Sequence, residues 1–113
     1  MTTATDADTG HEPVLLEEAM GFLAPAGGGL YCDATVGLGG HAAAILQRSA
    51  PGGRLVGIDR DRDALDLARA RLAGFGDRVR LVHARFGAIR AVLESLAAIP
   101  IDGCLVDLGV SSL

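Results

Sequence analysis

The sequence predicts an α/β fold, a parallel sheet with helices on both faces, and three observations predict it. Short apolar runs alternate with segments of helical periodicity along the chain, and such alternation builds βαβ units joined by right-handed crossovers. Three of the apolar runs meet an acid at or near their ends, Asp33, Asp59 and Asp107, where a parallel sheet presents the carboxyl ends of its strands and binds ligands. Between the first of those acids and the next helical segment lies a turn with three glycines, Gly37, Gly39 and Gly40. With 113 residues, 50% of them hydrophobic, the chain can bury one core and form one domain.

Each element follows from its composition. Residues 1–10 are polar and acidic and are expected to form a mobile tail; residues 11–113 make up the domain. Residues 13–23 open with Pro13, carry Glu17 and Glu18 early and have an apolar face, the pattern of a helix. After the breaker at 24–28, a first strand runs over 29–32 and ends at Asp33. A helix over 42–47 follows the glycine turn and stops at Pro51-Gly52-Gly53. Residues 54–59 form a second buried strand, 61–72 a helix with acids at its start, 74–77 a turn, and 79–83 a third strand. A helix is expected over 86–98, closed by Pro100, and a fourth strand over 101–108.

The stretch Asp33-Ala34-Thr35-Val36-Gly37-Leu38-Gly39-Gly40-His41 is built for a nucleotide cofactor. Glycine tolerates positive φ and has no Cβ, so backbone N–H groups can approach a ligand closely while the positive end of the next helix points at it. A branched side chain at Gly39 is therefore expected to block that approach. Residues 37–42 also fit the G-x-G-x-x-G/A dinucleotide pattern, which alone is weakly specific. Asp33 weighs against a pyrophosphate and in favour of a sulfonium ligand carrying an ammonium group, as in S-adenosylmethionine. A nicotinamide-dependent oxidoreductase remains the alternative from another class, and a non-catalytic donor-binding remnant is a third reading. Each acid could instead cap a helix or a turn.

Composition excludes other classes. A net charge of −4 argues against a free-standing nucleic-acid binder, because phosphate contacts need clustered cations. All cations are arginine and they are scattered, so they read as solvated faces, with Arg78, Arg80 and Arg85 as the candidates for part of a larger basic surface. Cys32 and Cys104 lie in apolar runs without metal-ligand spacing and read as buried thiols in a reducing cytosol. No metal site is expected. No apolar run approaches the ~20 residues that span a bilayer, and the opening residues lack the cationic start and apolar stretch of a secretory signal. A cytoplasmic protein is expected.

Several stretches together resemble the MraW/RsmH family of bacterial methyltransferases, which modify the N4 amino group of a cytosine in small-subunit ribosomal RNA. They are residues 11–16 (His-Glu-Pro-Val-Leu-Leu), 33–41, 57–61 (Gly-Ile-Asp-Arg-Asp), Phe86 and 102–112, the last containing Asp-Leu-Gly-Val-Ser-Ser. The resemblance implies a Rossmann-like class I methyltransferase fold with S-adenosylmethionine as cofactor. It also implies that Gly39, Gly40 and His41 hold the donor, Asp59 its ribose hydroxyls, and Phe86 and Asp107 its adenine side. His41 could equally serve as a helix-start residue, and Phe86 as a core aromatic. Asp107 and Ser111 are the candidates for acceptors that activate the target amine. The family continues beyond this point to a seven-stranded sheet, so about four strands are present and the chain reads as the cofactor half of a longer enzyme. Ribosomal RNA contacts are expected mostly in the other half, and an uncovered fourth strand is expected to invite self-association.

Overall fold

The structure, a computed structural model, describes residues 16–106. Within them a four-stranded parallel sheet has the order β3-β2-β1-β4. The strands are β1 (Leu30–Asp33), β2 (Arg54–Asp59), β3 (Val79–His83) and β4 (Gly103–Leu105), and the helices are α1 (Leu16–Leu23), α2 (Gly40–Arg48), α3 (Arg62–Arg71) and α4 (Ile89–Ser95). The register sets Asp33 opposite Gly57 and Asp59 opposite His83. β4 pairs with β1 instead of extending past β3, so the winding direction reverses between β1 and β4. That reversal is where sheets of this type open a crevice at the strands' carboxyl ends.

Alternation within β2 divides the core. Leu55 packs in one cluster with Tyr31, Met20 of α1, Ile45 and Leu46 of α2, and Leu65, Ala68 and Leu72 by α3. Val56 and Ile58 pack in the other with Cys32, Ala34 and Leu93 of α4. Burying both faces is what gives β2 its unbroken apolar run. Gly57 belongs to this packing: a Cβ there would stand 2.7 Å from Leu81 Cδ2 and 3.1 Å from Val36 Cγ2. The hydroxyl of Tyr31 accepts the Ala26 N–H at 2.9 Å, which satisfies the polar end of a buried ring.

Three expectations need correction. The helix expected over 86–98 is a 3-10 turn (Phe86–Ala88) followed by the shorter α4. It ends because Ala97 takes a left-handed conformation, φ 55°, with Ala97 N–H donating to Glu94 O and Ala98 N–H to Leu93 O. That is a Schellman closure with alanine in the place usually held by glycine. The two cysteines are not both buried: Cys32 is, but Cys104 is exposed, because β4 is bordered on one side only among the described residues. Arg78 does not join a basic surface. Its guanidinium donates to Gly53 O at 2.7 Å and to Leu46 O, and lies 5.6 Å from the centroid of the Phe75 ring, so it ties the turn before β3 to the end of α2. Expectations for residues 1–15 and 107–113 fall outside the described residues. Among those described, no helix is long and apolar enough to cross a membrane.

Candidate functional site

The glycine turn leaves β1 at Asp33 and enters α2 at Gly40. Its geometry demands glycine at two points, Gly37 at φ 53° and Gly39 at φ 92°, a region L side chains enter at a cost of roughly 1–2 kcal/mol. The turn is stitched to the sheet by Val36 N–H donating to Ile58 O at 2.9 Å and closed by Gly39 N–H donating to Val36 O at 2.9 Å. Gly39 stands at the N-cap of α2 and offers no side-chain cap of its own to the partial positive charge of the helix start.

Asp59 links the two strands' ends. Its Oδ2 accepts the Gly37 N–H at 2.8 Å and its Oδ1 accepts the Asp61 N–H at 2.9 Å. One half-buried carboxylate therefore fixes the glycine turn on one side and the entry to α3 on the other, and each oxygen keeps a second lone pair for a further donor. Asp61 next to it caps α3, accepting from Asp63 N–H and Ala64 N–H. Asp33 is 1% exposed, and its Oδ1 accepts the Thr35 N–H at 3.1 Å.

The remaining predicted positions fall as follows. Gly40 and His41 are the first two residues of α2, both half-buried. Phe86 opens the 3-10 turn after β3. Asp107 and Ser111 lie outside the described residues. The structure thus brings together Asp33, Gly37, Gly39, Gly40, His41 and Asp59 at the carboxyl ends of β1 and β2. The expectation for Gly39 changes in kind. A Cβ there would meet Leu72 Cδ1 at 3.4 Å and Ala68 Cβ at 3.7 Å, so it would point into the packing against α3. At Gly37 the nearest atom to such a Cβ among the described residues is Thr35 O, at 3.9 Å, an ordinary van der Waals contact.

Sequence reasoning missed one bracket. His83, at the end of β3, has Nε2 2.9 Å from Arg60 O and Nδ1 3.1 Å from Arg62 Nη2. A carbonyl only accepts and a guanidinium only donates, so in these contacts Nε2 is the donor and Nδ1 the acceptor. It holds the β2–α3 connection beside Asp59. The available signal was its position, a histidine ending a strand next to one that ends in an acid.

A model of the MraW methylase family matches residues 8–113. The chain is 58% identical over 102 residues to ribosomal RNA small subunit methyltransferase H of Syntrophus aciditrophicus, covering 90% of this chain and 32% of the relative. It is 51% identical over 112 residues to the protein of that name from Nitratidesulfovibrio vulgaris Miyazaki F, covering 99% and 31%. The chain therefore spans about a third of the length of these relatives. Among solved structures, a protein-L-isoaspartate O-methyltransferase superposes with a TM-score of 0.71 at 20% identity, covering 93% of this chain and 33% of that one. A SAM-dependent O-methyltransferase of Thermotoga maritima gives 0.57 at 20% identity, covering 61% and 27%. The fold is the Rossmann-like methyltransferase fold.

Proposed function

Because the chain belongs to the MraW methylase family, we propose that it forms the donor-binding part of an S-adenosylmethionine-dependent methyltransferase. Its substrate would be small-subunit ribosomal RNA in the cytoplasm, with the N4 amino group of a cytosine as acceptor. The observation that carries this reading is the Asp59–Gly37 hydrogen bond, which joins a glycine turn and a strand-end carboxylate into one unit at the sheet's carboxyl edge.

The residues present suit the donor. The start of α2, whose N-cap is a glycine, favours a carboxylate such as that of a methionine moiety. Asp59 has acceptor capacity for ribose hydroxyls. Gly37, Gly39, Gly40 and His41 would line the methionine side, Phe86 and Asp107 the adenine side, and Asp33 would hold the turn's shape and contribute negative charge beneath it. When bound, the donor supplies a methyl group activated on a sulfonium. The chain's task is to hold that group in line with the incoming amine, about 3–3.5 Å away. A cytosine amine is a weak nucleophile because its lone pair is delocalised into the ring, so hydrogen-bond acceptors that favour its pyramidal form assist the reaction, a role for Asp107 and Ser111. The target base would leave its stack to reach the site.

Calorimetry tests the reading. S-adenosylmethionine should bind and NAD should not, and Asp59→Ala should weaken donor binding by about 1–3 kcal/mol, the scale of hydrogen bonds left unmade. Wild-type donor affinity in a folded Asp59→Ala protein would remove Asp59 from the site, and preference for NAD would overturn the assignment.

A further inference from the structure

The peptide unit between Arg60 and Asp61 is gripped at both of its polar ends. Its carbonyl, Arg60 O, stands 2.9 Å from Nε2 of His83, and its N–H, that of Asp61, donates to Oδ1 of Asp59 at 2.9 Å. A trans peptide is planar and points its C=O and N–H in opposite directions, so a side chain that fixes the carbonyl also fixes where the N–H aims. His83 reaches this carbonyl from the neighbouring strand. It is the register partner of Asp59 on β3, and the Ala84 N–H that follows it donates to Asp59 O at 3.0 Å. Arg62, the first residue of α3, supports the ring from its other nitrogen, with Nη2 3.1 Å from Nδ1.

We propose, on the footing of the donor site described above, that His83 is a positioning residue for the methyl donor, acting through the 60–61 peptide to hold the Asp59 carboxylate in the orientation that accepts ribose hydroxyls. That carboxylate has two anchors, the Gly37 N–H on Oδ2 and the Asp61 N–H on Oδ1. The first is set by the glycine turn. The second depends on a peptide in the short connection, residues 60 and 61, between β2 and α3. Rotation of that peptide plane would swing the N–H away from Oδ1 and leave the carboxylate free to turn about its last bond. The contact with His83 opposes the rotation, because the carbonyl would have to leave its donor.

Hydrogen bonds in series also polarise one another, so a donor on Arg60 O strengthens the Asp61 N–H as a donor to Asp59. Two features bound the size of the effect. The cap that Asp61 makes on α3 restrains the far side of the same residue, and His83 is exposed, so water competes for its contacts. The expected contribution is that of one hydrogen bond.

The test is calorimetric titration with S-adenosylmethionine across substitutions that separate the ring's two nitrogens. His83→Ala should weaken binding about three- to tenfold, the range set by one net hydrogen bond. His83→Gln, whose amide nitrogen can take the place of Nε2, should stay within about twofold of the wild type. His83→Asn, whose amide oxygen can take the place of Nδ1 but whose side chain is too short to reach Arg60 O, should match His83→Ala. In an Asp59→Ala background the His83→Ala loss should disappear, since residues acting as one unit are not additive. Without ligand, the Asp61 amide proton should shift in NMR spectra of His83→Ala and His83→Asn and stay in place in His83→Gln. If His83→Ala does not fold, the split between His83→Gln and His83→Asn decides. A wild type that fails to bind S-adenosylmethionine would overturn the donor site and this role with it. With wild-type binding intact, unchanged affinity in folded His83→Ala, equal losses in His83→Gln and His83→Asn, an Asp61 amide that does not move, or a His83→Ala loss that persists in the Asp59→Ala background would overturn the role of His83 and leave the donor site standing.

Discussion

Asp59 has a structural role apart from the donor contact proposed for it: its carboxylate oxygens each take a backbone N–H, from Gly37 and Asp61. Replacing it should therefore loosen the turn as well as remove the proposed ribose acceptor, and Asp59→Asn, which keeps one acceptor oxygen, should lose less donor affinity than Asp59→Ala. Gly39→Val is expected to act through backbone and core. At φ 92° with Leu72 and Ala68 close by, a β-branched residue should cost about 2 kcal/mol or more in stability, measured by urea unfolding; Gly37→Ala, at φ 53° with Thr35 O at ordinary contact distance, 3.9 Å, should cost about 1 kcal/mol. At Cys104 the expectation concerns pH. Its thiolate forms near pH 7, so alkylation should rise through that pH, below the roughly 8.5 of an ordinary thiol; Cys32→Ala removes the hydrogen-bond donor and should move the midpoint up. A midpoint unchanged by that substitution would remove Cys32 as the cause. Glycine spacing and strand-end acids made legible which residues gather at the carboxyl ends of β1 and β2. The direction in which Gly39 faces was not, because it depends on where α3 packs, and Asp107 and Ser111 rest on resemblance alone.

At the scale of elements, local chemistry decided boundaries well where the signal was a side chain. Asp61 precedes an amphipathic run, and it caps α3 through Asp63 N–H and Ala64 N–H at 2.9 and 3.3 Å; Asp61→Ala should destabilise the fold by about 1 kcal/mol. Where the signal was backbone conformation, sequence reading failed. Nothing in Ala97 announces a left-handed residue, and so the fourth helix appeared longer than it is. Ala97→Gly supplies the residue that the Schellman closure prefers and should stabilise the protein by up to about 1 kcal/mol in a thermal melt, since the conformation at φ 55° no longer strains a Cβ. The fourth strand was legible as a run but not in extent. Asp102, expected within it, instead brackets its start, with Oδ2 accepting the Leu30 N–H at 2.8 Å and its own N–H donating to Leu30 O at 2.7 Å.

For the molecule as a whole, alternation of strands and helices made the parallel sheet legible, whereas the strand order did not follow from the alternation itself. The order β3-β2-β1-β4 divides burial between two clusters. Ile58 and Leu46, each 0% exposed, stand in different clusters, so Ile58→Ala and Leu46→Ala should each cost about 2–5 kcal/mol and add nearly independently. Marked coupling between them would show that the sheet does not insulate its faces. Tyr31 lies in the central strand β1 and is the chain's single tyrosine, with no tryptophan present. Its ring is 3% exposed and its hydroxyl is held by Ala26 N–H. The near-ultraviolet tyrosine signal of this chain accordingly comes from one fixed ring adjacent in sequence to Cys32, which gives the protein a built-in optical gauge: it should vanish when core packing is lost even if helical content survives.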